Sequence, residues 1–160
     1  MATRANVLVI EDDPMMRDVL AEWLAAAGYS VRTAKDGCAG LEAVRAAEPA
    51  LVVTDIHMPG TGGATVIVEL KHRHPEIPVI AISGLFCSGH GMDAEAAISL
   101  GAARALAKPF KRAQLLEAVS ELLGRAAAGD RDARPLADAD PAGCAPVSVA
   151  APIAQPVRIK

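Results

Sequence analysis

The sequence has few aromatics, few cysteines, no surplus of basic charge and no long apolar run, and each shortage narrows the range of functions. No apolar stretch approaches the roughly 20 residues of a bilayer-spanning helix, so no membrane contact is expected. The first apolar run, Val7 to Ile10, leads straight into three acids, unlike a secretory signal. Cys38, Cys87 and Cys144 are odd in number and share no metal-like spacing, which fits reduced thiols in a cytoplasmic protein. The formal net charge is −3 with no basic stripe, so direct nucleic-acid binding is not expected. The four aromatics, Trp23, Tyr29, Phe86 and Phe110, all precede Gly124.

What is present divides the chain in two. Beyond Gly124 the chain is rich in Ala and Pro, with 11 and 5 of 36 residues, and Pro135, Pro141, Pro146, Pro152 and Pro156 are spaced too closely for a helix, with too few bulky side chains for a core. Residues 125–160 are therefore expected to be a disordered tail, too short for an ordinary DNA-binding output domain. Residues 1–124 alternate strand-like and helix-like segments five times. Apolar runs begin near Val7, Ser30, Leu51, Val79 and Ala103. Between the first two, Asp13 can cap a helix, Pro14 suits its first position, and Met16, Val19, Leu20, Trp23 and Leu24 keep a 3.6-residue period up to Gly28. Further helices are expected over about 38–47, 63–74 and 93–100. A last one carries Leu115, Leu116, Val119, Leu122 and Leu123 on one face and closes at Gly124. Such alternation implies an α/β domain: a doubly wound parallel sheet covered on both faces.

In a sheet of this kind ligands bind in the crevice at the carboxyl ends of the strands. Charged residues stand where those ends should be. Glu11, Asp12 and Asp13 follow the first run, Asp55 ends the third, and Lys108 follows the fifth. Asp13 reads as the helix cap. One cap does not need three acids, so Glu11 and Asp12 read as part of a cation site. Mg²⁺ suits them, because it takes few carboxylates and shares its other positions with water and phosphate oxygens. Asp55 is either a turn residue or, if its strand lies beside the first, a nucleophile or metal ligand. Ser83 is either a loop hydroxyl satisfied by backbone or a donor to an anion on Asp55, and the residue alone leaves both open. A Lys at the rim of an acidic crevice would pair with the acids and stabilise charge on a transferring phosphoryl group.

Taken together, Glu11-Asp12, Asp55-x-x-Met58-Pro59-x-x-x-Gly63, Ser83-Gly84, Gly101-Ala102 and Lys108-Pro109-Phe110 resemble the receiver domain of two-component response regulators, over about residues 5–124. The resemblance implies a flavodoxin-like, five-stranded sheet of order 2-1-3-4-5. It makes Asp55 the phosphoacceptor, supplied by a histidine kinase or a histidine phosphotransfer protein. Asp12 would bind Mg²⁺ directly, Glu11 through water, and the His57 backbone carbonyl would complete the protein ligands. Ser83 and Lys108 would contact the phosphoryl group, and the Lys108-Pro109 bond is expected to be cis. The expected protein is a single-domain signalling switch or phosphorelay intermediate, not an enzyme acting on other substrates. It would act on an unidentified downstream protein, and homodimerisation is compatible with the sequence. The kinase-docking surface would include Met15, Met16 and Pro109.

Two features depart from the family pattern. The position three before the Lys, where members carry an aromatic that reorients on phosphorylation, is Ala105. The segment from Leu85 to Met92 is glycine-rich, and Phe86 within it is the expected substitute for the moving ring. The family also implies that side chains at His57 and Leu85 tune the lifetime of the phosphoryl group. The simpler expectation for His57 is an exposed ring with only its carbonyl used, and His72, His74 and His90 are expected at the surface. A small Mg²⁺-dependent phosphohydrolase is the competing reading. Its haloacid-dehalogenase form places an Asp-x-Asp nucleophile on the first strand, where this chain has contiguous acids. A receiver-like scaffold that is never phosphorylated is opposed by the presence of Asp12, Asp55, Ser83 and Lys108.

Overall fold

The computed structural model describes residues 4–84 and 94–128. The chain alternates β1 (Asn6–Ile10), α1 (Pro14–Ala26), β2 (Ser30–Ala34), α2 (Gly37–Ala46), β3 (Leu51–Asp55), α3 (Gly63–Arg73), β4 (Val79–Ser83), α4 (Ala94–Leu100), β5 (Arg104–Ala107) and α5 (Arg112–Ala128). The five strands are parallel in the order β2-β1-β3-β4-β5. This is the flavodoxin-like α/β arrangement expected from the sequence. The segments 85–93 and 129–160, including Leu85, Phe86, His90 and all but the first four residues of the expected tail, lie outside the described residues.

Alternation along each strand divides the core into two layers. Val7, Val9, Val53, Ile80 and Ile82 face α1 and α5, where Leu20, Leu24, Leu115 and Val119 close over them. Leu8, Ile10, Val52 and Ala81 face the other way, against Val44 of α2, Val66, Ile67 and Leu70 of α3, and Ala97 of α4. The central strands β3 and β4 are buried at every position, as a sheet covered on both sides requires. Burying one such Leu or Ile side chain contributes about 1.5–3 kcal/mol, so the sheet's register is held from both faces.

The helix ends follow the local chemistry. Asp13 caps α1, accepting hydrogen bonds from the Met15 and Met16 amides at 2.8 and 3.2 Å, and Pro14 takes the first helical position. Gly28 follows the helix at φ +97°, a conformation that favours glycine. The last helix corrects one expectation: α5 does not close at Gly124 but runs on to Ala128. A single glycine costs a helix only about 1 kcal/mol relative to alanine, and Arg125-Ala126-Ala127-Ala128 are good helix formers.

Register sets the site. Ile10 pairs with Thr54, Asp55 with Ile82, and Ser83 with Ala107. Glu11, Asp55, Ser83 and Lys108 therefore all stand at the carboxyl edge of adjacent strands. The start of α3 is pressed against this edge, since a Cβ on Gly63 would lie 2.0 Å from the Asp55 carbonyl oxygen. Only glycine permits that approach.

Candidate functional site

Lys108 joins the two sides of the crevice. Its Nζ lies 3.0 Å from Glu11 Oε2 and 3.0 Å from Asp55 Oδ2. The acids are almost fully enclosed, with side chains 1% and 8% exposed, while that of Lys108 is 22% exposed. The remaining oxygens are also used. Glu11 Oε1 accepts from the Asp13 amide at 3.3 Å, and Asp55 Oδ1 accepts from the His57 amide at 3.2 Å. Lys108 is fixed by its own backbone, which donates to the Ser83 carbonyl at 2.9 Å, and the Lys108-Pro109 bond is cis, as expected.

The electrostatics record strain between like charges. Burial raises the pKa of Glu11, and the nearby Asp55 carboxylate raises it further, against the lowering effect of Lys108. Burial alone would lower the pKa of Lys108, but its bonds to Glu11 and Asp55 outweigh that and raise it. One ammonium thus serves two buried carboxylates, and the group retains an affinity for further positive charge. Asp12 is exposed at the mouth of the crevice. Ligand atoms of Glu11, Asp12 and Asp55 lie within 4.8 Å of one another, an all-oxygen set suited to a hard divalent cation.

Glu11, Asp12, Asp55, His57, Ser83 and Lys108 all reach this edge of the sheet, while Asp13 serves α1 as its cap. Two contacts were not foreseen. Arg17 Nη1 donates to the Glu11 carbonyl at 3.0 Å, which ties the first strand's end to α1. The His57 ring, although the residue is exposed, is not idle: its Nδ1 lies 2.9 Å from Ser83 Oγ. The expectation that His57 contributes only its carbonyl is therefore corrected. His74, expected at the surface, is partly exposed and has partners there. It sits at the far end of the sheet, with Nδ1 3.0 Å from Glu48 and 3.7 Å from Glu76, two exposed acids that it bridges.

A family model, "response regulator receiver domain", matches residues 7–120. The chain belongs to this family.

Among similar proteins, the nitrogen assimilation regulatory protein NtrX of Azorhizobium caulinodans is 35% identical over 113 residues, which is 69% of this chain and 24% of that protein. The transcriptional regulatory protein FixJ of the same organism is 38% identical over 130 residues, 80% of this chain and 60% of that one. The crystal structure of the receiver domain of NtrX from Brucella abortus is 36% identical with a TM-score of 0.68, covering 74% of this chain and 98% of that one. The chain thus spans about a quarter of full-length NtrX but nearly the whole of an isolated receiver domain. It is a receiver domain of two-component signalling, with the acidic crevice at the carboxyl ends of β1 and β3. Among the described residues, no helix is long and apolar enough to cross a membrane.

Proposed function

We propose that this receiver accepts a phosphoryl group on Asp55 from a phosphohistidine of a histidine kinase or histidine phosphotransfer protein, and signals in the cytoplasm through protein contacts. The observation that carries the reading is the Lys108 ammonium held 3.0 Å from an Asp55 oxygen at the carboxyl end of β3. The Asp55 carboxylate is the nucleophile. Its oxygen bonds to phosphorus as the phosphorus–nitrogen bond of the donor breaks, and the imidazole leaves with the electron pair of that bond. Lys108 already touches the nucleophile, so it can follow the developing charge onto a phosphoryl oxygen without reorganising. The Ser83 hydroxyl, one strand away, donates to another of those oxygens.

The donor set also fits Mg²⁺. Asp12 and Asp55 would hold it directly, Glu11 through water, and the His57 carbonyl would add a neutral oxygen. When bound, the ion neutralises charge shared between the acids and the phosphoryl oxygens. The chain's catalysis is confined to its own phosphorylation and dephosphorylation.

Incubation with Mg²⁺ and acetyl phosphate, followed by intact mass, tests the reading. One acid-stable, base-labile phosphoryl group is expected, absent from Asp55→Asn and absent with chelator. Labelling that survives Asp55→Asn would overturn the assignment. Sustained turnover of an aryl phosphate would favour a phosphohydrolase instead.

A further inference from the structure

The bond between His57 and Ser83 gives an unassigned side chain a part in the reaction. Ser83 is fully buried at the end of β4, and its Oγ lies 2.9 Å from His57 Nδ1. His57 stands in the loop between β3 and α3, two residues beyond Asp55, and its own amide donates to Asp55 Oδ1. The ring is held at one end by a buried hydroxyl, while the residue is exposed to solvent. On the neighbouring strand, Ala105 pairs with Ala81 and presents no ring of its own. Among the described residues, the nucleophile's own loop brings an aromatic ring to Ser83.

A serine hydroxyl carries one proton and donates to one acceptor at a time. We infer that His57 is a positioning residue that holds the Ser83 hydroxyl in the unphosphorylated protein, the hydroxyl donating to Nδ1 of the neutral ring. Phosphorylation of Asp55 brings a stronger, charged acceptor into the crevice, because hydrogen bonds to ionised oxygens are roughly twice as strong as neutral ones. The hydroxyl keeps its proton and changes acceptor, from Nδ1 to a phosphoryl oxygen. The His57 ring is then released at the surface. The exchange links the occupancy of Asp55 to an exposed side chain without a ring at Ala105. It rests on the phosphoacceptor reading of Asp55.

The Ser83 hydroxyl proton goes to one acceptor in each state, and only in the unphosphorylated state is that acceptor His57. Removing the ring therefore destabilises only that state, and binding of a phosphoryl mimic should tighten. The size expected is about fivefold, the net worth of one neutral hydrogen bond. Asparagine places an acceptor oxygen where Nδ1 stood, so it should restore the wild-type affinity.

The test is titration of the Mg²⁺-loaded protein with beryllofluoride, followed by the backbone amide of Asp55 and the ring nitrogens of His57 in ¹⁵N NMR at constant pH. Wild type should show the His57 Nδ1 resonance moving with the Asp55 amide, to the position it occupies in Ser83→Ala without beryllofluoride. His57→Ala should bind the mimic about fivefold more tightly, and His57→Asn within twofold of wild type. An Asp55 amide that responds while Nδ1 stays still would overturn this inference alone. So would a His57→Ala affinity that is unchanged or weaker. An Asp55 amide that does not respond would overturn the phosphoacceptor reading, and this inference with it.

Discussion

Replacing Lys108 with methionine keeps the length and most of the volume of the side chain and removes its charge. Glu11 and Asp55 then remain enclosed, 1% and 8% exposed, with no ammonium between them. Breaking a buried ion pair by removing one partner costs about 3–5 kcal/mol. Lys108 is itself 22% exposed, so the low end, ~3 kcal/mol, is the expectation for the metal-free protein. The acids can escape by taking up a proton. Starting from the ordinary carboxyl value of 4.5, protonating one acid at pH 8 costs about 5 kcal/mol, which is no cheaper, but at pH 5 only ~0.7 kcal/mol. The sign follows: Glu11 is raised in the folded state, so the fold holds a proton that the unfolded chain has released, and stability falls as pH climbs from 4.5 through the raised value. Without Lys108 the rise is larger, and the fall deeper. For a domain of this size ~3 kcal/mol corresponds to a melting temperature lower by ~12 °C at pH 8, with most of the loss gone at pH 5. Mg²⁺ at ten times its dissociation constant should return about 1.4 kcal/mol. Thermal melts in EDTA and in Mg²⁺ at both pH values measure all of this. A variant that melts with wild type at pH 8 in EDTA, or that loses as much at pH 5, would refute the reasoning.

Asp55→Asn removes the carboxylate that raises Glu11 while leaving the Lys108–Glu11 pair, so the metal-free protein should melt higher than wild type at pH 8; a lower melting temperature would contradict the repulsion. Gly63→Ala forces a Cβ to within 2.0 Å of the Asp55 carbonyl unless the backbone shifts. It should cost about 2–3 kcal/mol in a denaturant titration and slow phosphorylation as well. Asp13→Ala should cost about 1 kcal/mol and leave phosphorylation intact, whereas Asp12→Ala should abolish the Mg²⁺ dependence at little cost in stability. Measuring both variants by acetyl phosphate labelling and thermal melt separates the two neighbouring acids.

The strand–helix alternation was readable because both faces of the sheet are covered. Buried strands such as Leu51–Asp55 are then continuous apolar runs, and the helices carry one apolar stripe each. Asp13 and Pro14 marked the start of α1 as plainly as Gly28 marked its end. Gly124 misled because a glycine stops a helix only when the chain beyond it favours another conformation, and an alanine run does not. The site residues were visible as charges at the ends of apolar runs. Which of them touch was not visible: Lys108 is 97 residues from Glu11, and only the register of β1, β3, β4 and β5 makes them neighbours. The His57 ring was out of reach for the same reason, since its partner lies 26 residues away on another strand. Arg104 is a different case. It was not singled out from the sequence, yet it alternates with Leu106 on the buried face of β5 and forms an ion pair with Glu121 of α5.

The claim at the centre of this account is that Asp55, and no other acid in the crevice, forms the bond to phosphorus. Borohydride reduction of the phosphorylated protein, followed by peptide mass mapping, reads this directly, because an aspartyl phosphate is reduced to homoserine at the residue that carried it. The account predicts homoserine at position 55 only, and only after incubation with Mg²⁺ and phosphodonor. Homoserine at position 12 or 13 would contradict it, as would an intact Asp55 in protein shown by intact mass to be phosphorylated.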